Sequence, residues 1–278
     1  MAGLQMRKTN FICMVATILM LAEPTQTIAA NAECKTASLD ALRQYVPEGY
    51  RIYQEVSDKS QFTSWFGCKD IILDLATGVH ESVHVITEEQ DIFPLLDGVS
   101  IERPHTVSAF TPPKVIGPEA ATIFGNDDIF IQTYLKPGET AASSSDDFLY
   151  LLDELNAFSH DLNVATKLAL NLAASQNGQV DHRDGLAAMM AFVAEYVDFV
   201  SRNDQASWRG LQHKDTRSVL RALWGQGETV LAASCGIPDF GSTDRSYIQY
   251  FCATENNKAI SQILGRSPVC PSKCAIGQ

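Results

Sequence analysis

Two of the chain's six histidines stand four residues apart with a glutamate beside the first: His80-Glu81-Ser82-Val83-His84. On a helix this spacing puts both imidazoles on one face, one turn apart, where two ring nitrogens can grip a single metal ion. Glu81 then sits about 100° round the helix, within reach of a water on that ion, whose proton a carboxylate can take up. A catalytic zinc has three protein ligands and an open fourth position, so this pair needs a third partner from elsewhere in the chain. The chemistry implied is hydrolysis by an activated water.

The apolar pattern around the motif calls for a helix independently of the motif itself. With His80 at 0° and 100° per residue, Ile72, Leu75, Ala76, Val79, Val83 and Ile86 fall between roughly 220° and 320°. His84 and Glu81 fall at about 40° and about 100°. One face is apolar and the chemically capable residues line its flank, as on a helix buried along one side of a cleft. The helix is expected from about Cys68 to Glu89. Gly78 within it weakens helicity by about 1 kcal/mol relative to Ala and leaves room for another backbone to come close.

Residues Thr77 to Ile86 resemble the active-site helix of the zincin metallopeptidases: Thr77 lies three before the first His, Ser82, Val83 and Val85 are uncharged, and Ile86 is apolar. The resemblance implies Zn2+ as cofactor, His80 and His84 as ligands, Glu81 as catalytic base and a protein or peptide as substrate. Thr87 and Gln90 occupy the places where the pattern His-Glu-x-x-His-x-x-Gly-x-x-His has its Gly and third His. The chain therefore looks more like the branch whose third ligand is a glutamate on a later helix. Glu154 is the best candidate, at the edge of the stripe Phe148, Leu151, Leu152, Leu155, Phe158 and Leu162. It departs from that branch in its long separation from His84 and in Phe158, which stands where Glu-x-x-x-Asp would have its Asp.

Asp161, nearly in line with Glu154 two turns on, is expected to hydrogen-bond His80 or His84 at the ring nitrogen facing away from the metal. Tyr134 or His160 is a candidate donor to a developing oxyanion. Asp153 and His160 are expected to project to the solvent side of their helix. Glu119 reads as the opening of a helical turn, Glu195 as a salt-bridged core acid, and His105, His182 and His213 as ordinary surface histidines.

The elements that must position these residues fall into three stretches. Residues 1–32 read as a signal peptide: Arg7 and Lys8, the short apolar run Phe11–Ala22, then Ala30-Asn31-Ala32 before Glu33. The expected location is secreted or periplasmic, with no stable membrane anchor. Residues 33–145 read as a mixed α/β half carrying the metal-motif helix. It has a short helix at Ser38–Tyr45, a strand at Tyr50–Val56 and a second strand at Ile129–Leu135. A small, polar junction at Thr140–Asp147 leads to residues 146–278, an all-helical half with helices at about 146–175, 184–202, 215–234 and 243–264. The fold class expected is α+β, mainly helical, with a zincin-like mixed first half, stabilised by disulfides.

Of seven cysteines, Cys13 leaves with the leader. Cys34, Cys68, Cys235, Cys252, Cys270 and Cys274 remain, an even set suited to three bridges in an oxidising compartment. Cys34 with Cys68 is the favoured pair, and Cys270-x-x-x-Cys274 as a thiolate metal site is disfavoured for want of a second ligand pair. The formal net charge of −12 argues against nucleic acid or an anionic membrane surface as partner. No Gly-x-Ser-x-Gly elbow supports a serine hydrolase. Beside the zinc hydrolase stands one alternative, a non-catalytic secreted metal-binding or protein-binding module, which needs the ligands but not Glu81. The oligomeric state has no signature in the sequence.

Overall fold

The computed structural model describes residues 23–136, 142–172, 181–237 and 239–275. Most of the leader reading, and residues 137–141 ahead of the second half, lie outside them. The described chain is mainly helical. The first stretch holds α1 (Glu23–Tyr45), α2 (Pro47–Glu55), α3 (Lys59–Ser64) and α4 (Ile71–Gln90), then the strands β1 (Ile92–Pro94) and β2 (Ser100–Glu102), then α5 (Gly117–Phe124) and α6 (Ile129–Tyr134). The second holds α7 (Phe148–Asn171), α8 (His182–Asn203), α9 (Gln205–Gln212), α10 (Lys214–Ser234), α11 (Asp244–Cys252), α12 (Lys258–Leu264) and α13 (Ser272–Ala275).

Two of the predicted strands are helices. Tyr50–Val56 falls on the end of α2 and its C-cap, the helix started by Pro47 in its first turn, and Ile129–Leu135 on α6 and its C-cap, with Asp128 capping the start. The only described sheet is the antiparallel pair β1–β2, in the register Ile92 to Glu102 and Pro94 to Ser100. Among the described residues the first half is therefore helical with one short hairpin, and the two strands expected in it are not formed.

The central pair is α4 against α7. Asp70 caps α4 by accepting from Ile72 N and Leu73 N, and Asp91, with φ at +57°, ends it in the left-handed conformation. All six residues of its expected stripe are buried, none more than 2 % exposed. Gly78 faces α3: a Cβ there would stand 3.3 Å from Phe62 O, so the missing side chain does let a second backbone approach. Asp147 caps α7 by accepting from Leu149 N. Packed among α4, α8 and α10, α7 is buried on nearly every side, and one hydrophobic cluster runs through both halves.

Polar bonds fix the hairpin to this pair. Pro94 O, at the end of β1, accepts from Asn156 Nδ2 at 3.0 Å and from His160 Nε2 at 2.9 Å. Gln226 of α10 accepts from Leu96 N and donates to Asn156 Oδ1, both at 2.8 Å. His160 is thus fully buried and not on a solvent face. The cysteines pair as Cys34–Cys68, Cys235–Cys274 and Cys252–Cys270. None of the described helices is long and apolar enough to cross a membrane.

Candidate metal centre

α4 presents His80 and His84 on its flank, and α7 crosses beside it to present Glu154. His80 Nε2 and His84 Nε2 are 3.2 Å apart. Glu154 Oε2 lies 3.8 Å from the first and 3.6 Å from the second. A tetrahedral ion with bonds of about 2.0–2.1 Å holds its donors about 3.3 Å apart, so this triangle is close to one that zinc can fill. Glu154 Oε2 is buried and has no hydrogen-bond partner, a costly condition for a carboxylate oxygen that a cation between the three donors would relieve. The residues fit a divalent metal.

Asp153 sets the angle of His84. Its Oδ2 accepts from His84 Nδ1 at 2.7 Å, which leaves Nε2 directed at the triangle. Asp153 is 3 % exposed, against the expectation of a solvent-facing residue. The wheel fails here because α7 is central: with helices on nearly all sides, the arc opposite its apolar stripe is also interior. Asp161 is not the partner of either ligand histidine. It accepts from His182 Nδ1 at 2.6 Å, and His182, expected on the surface, is buried. The Asp161 charge is nevertheless felt at His80.

Electrostatics suit the two rings to ligation in different ways. Burial, then the neighbouring His84, lowers the His80 pKa below its ordinary value and keeps a lone pair on the neutral ring. Burial alone would lower His84 as well, but its hydrogen bond to Asp153 and the charges of Asp153 and Glu154 hold it well above its ordinary value. A cation entering the site therefore displaces a proton from this ring.

Glu81 is half-buried on the same helix, and its charge reaches both His80 and Tyr134. Tyr134, at the end of α6, is partly buried; burial first, then Glu154, Glu81, Asp161 and Asp181, raise its phenol well above the ordinary value. Its hydroxyl is a protonated donor at any physiological pH. Phe158 ties α6 to the site: its ring lies 4.7 Å from that of His80, 5.8 Å from Tyr134 and 6.3 Å from Phe130.

The remaining candidates lie elsewhere. His160 is committed to Pro94 O, and burial lowers its pKa to about 4, so it is a neutral anchor for the hairpin. His105 is exposed and pairs with Asp91, and exposed His213 lies 3.7 Å from Asp215. Glu195 is buried in α8, where burial first and then Glu119 and Asp198 raise its pKa to about 7, and half-exposed Glu119 lies 3.8 Å from Arg202. Asp153 is the site residue that sequence reasoning missed; the available signal was a second acid next to Glu154 in an otherwise apolar run.

No family model, curated protein or solved structure matches the chain.

Proposed function

We propose that this chain is an exported zinc-dependent hydrolase, a peptidase in which His80, His84 and Glu154 hold the metal and Glu81 is the general base. The observation that carries the reading is the spacing of the three donor atoms, with Glu81 one residue from the first ligand. Bound there, zinc would polarise the scissile carbonyl and make a water at the open position acidic. The Glu81 carboxylate accepts that water's proton and delivers it to the leaving amine nitrogen. Asp153 holds His84 through Nδ1, so the ligating nitrogen keeps its direction as charge moves. The Tyr134 hydroxyl donates to the substrate oxygen as negative charge builds on it. Three cysteine pairs and a leader-like start suit an oxidising compartment outside the cytoplasm.

The test is zinc content and cleavage of denatured casein and a mixed peptide library by wild type, His84→Ala and Glu81→Gln. Wild type should hold about one zinc per chain and His84→Ala should lose it, because two ligands hold the ion weakly. Glu81→Gln should keep zinc and lose about 10²–10⁴ of turnover. Equal zinc in wild type and His84→Ala would remove the metal site. A zinc-loaded wild type that cuts nothing would mark a metal-binding module without catalysis.

A further inference from the structure

Tyr134, the candidate donor at the metal centre, rides on a helix too short to hold itself. α6 has six residues, and a helix of that length is marginal in water without outside contacts. It follows Gly125, whose φ of +114° turns the chain, and a Cβ at that glycine would meet nothing within 4 Å. Ile129, the first residue of α6, is 64 % exposed. At the far end Ser144 Oγ donates to Tyr134 O at 3.1 Å. At the near end the Asp128 side chain accepts from Ile131 N at 3.0 Å and caps the helix.

The same Asp128 is tied to a distant helix. Its Oδ2 accepts from the hydroxyl of Tyr247 on α11. Tyr247 is fully buried; burial first, then the bond to Asp128, holds its phenol well above the ordinary value, so the hydroxyl is the donor. α11 is a firm base for it, since Asp184 of α8 accepts from Thr243 N at 2.8 Å and Arg183 Nε donates to Asp244 at 2.6 Å. The Tyr247 ring also lies 6.2 Å from that of Phe130 in the first turn of α6. From there the contacts run to the site: Phe130 lies parallel to Tyr134, and both rest edge-on against Phe158, whose ring is 4.7 Å from that of His80.

We propose that Tyr247 is a positioning residue for the candidate site: by its hydrogen bond to Asp128 it fixes the start of α6, and so the place of Tyr134 against Phe158. The placement stands on these contacts; only its consequence for turnover rests on the hydrolase reading. A hydroxyl that stabilises charge on a reacting oxygen has to be in place before the charge builds, and a misplacement of about 1 Å costs about 10²-fold in rate. Without the Tyr247 oxygen, Asp128 still caps α6 but no longer ties it to α11. The ring stays to fill its space, so this one atom separates aim from packing.

Fluorine NMR of the full chain labelled with 3-fluorotyrosine tests this without reference to activity. Of the eight tyrosines, Tyr134 gives the signal that is missing from Tyr134→Phe. That signal should shift or broaden in Tyr247→Phe and hold its place in Tyr250→Phe, which alters the same helix but leaves the bond to Asp128. Asp128→Ser keeps a capping hydroxyl too short to reach Tyr247; it should move the signal too, and it serves should the buried substitution fail to fold. In the peptide assay, Tyr247→Phe should lower kcat by about 10–100-fold with KM within about twofold of wild type, and should add no further loss to Tyr134→Phe. A Tyr134 signal that neither Tyr247→Phe nor Asp128→Ser moves would overturn the proposal. A moved signal with kcat unchanged would uphold the placement and remove Tyr134 from the hydrolase reading instead.

Discussion

Asp153 and Glu154 are consecutive acids with different tasks: one aims an imidazole, the other joins His80 and His84 in the group that could hold a metal ion. Changing Asp153 to Asn removes the charge that holds His84 while keeping the size of the side chain. Zinc affinity should fall by about 10–100-fold, the usual effect of losing such a partner, with helical circular dichroism unchanged. Competition with a chromogenic chelator measures it, and affinity equal to wild type would mean that His84 is aimed by its own packing. Glu195 gives a second prediction at this scale. In the fold it keeps its proton up to about pH 7, whereas in the unfolded chain it loses it near 4.5. The folded state then binds more protons across that window, so this group's contribution to stability declines as pH rises from about 4.5 to about 7 and is level above. Glu195→Gln should melt about 2–6 °C above wild type at pH 8 and close to it at pH 5. A difference independent of pH would point to packing and away from ionisation.

Among the elements, α4 was legible because its signals agree: an apolar stripe over about four turns and the His/Glu flank both require the same helix. α7 was legible as a helix and in its buried stripe, and Glu154 at the edge of that stripe does meet the two histidines. Its other face was misread, because a periodic pattern reports which residues prefer the interior and cannot report that a polar arc is also enclosed. α2 and α6 were misread altogether. Nine and six residues are too few to separate a period of two from one of 3.6, and the aromatic and β-branched content of Tyr50–Val56 and Ile129–Leu135 favoured strands. α8 offers an element-scale prediction. A Cβ at Gly185 would stand 2.2 Å from Phe158 Cε1, so this glycine is what lets the ring lie between α8 and His80. Gly185→Ala gains about 1 kcal/mol of helix propensity, but the ring cannot stay where it is. Net destabilisation of about 1–3 kcal/mol is expected from urea unfolding, along with weaker zinc binding as Phe158 shifts against His80. A more stable Gly185→Ala protein would show that Phe158 has a second comfortable position.

At the scale of the molecule, the cysteine pattern foretold cross-links and the pair Cys34–Cys68, while the other two pairings had to come from the fold. They had to because connectivity depends on which helices meet: Cys235 at the end of α10 reaches Cys274 in α13, and Cys252 at the end of α11 reaches Cys270 just before it. The C-terminal segment is thus stapled twice, to the ends of α10 and α11. The Cys34–Cys68 bridge is nearer the site, since it ties α1 to the turn that leads into α4. It closes a loop with a sequence separation of 34, and removing it should cost about 3–4 kcal/mol through the greater freedom of the unfolded chain. The donors, however, are placed by the packing of α4 on α7 and by the cap at Asp70, none of which needs the bridge. A Cys34→Ser, Cys68→Ser double variant should therefore unfold at lower denaturant concentration yet bind zinc with near wild-type affinity under conditions where both proteins are folded. Loss of zinc binding from the folded variant would show that the start of α4 depends on the bridge, and that the geometry of the centre extends beyond the two helices that carry it.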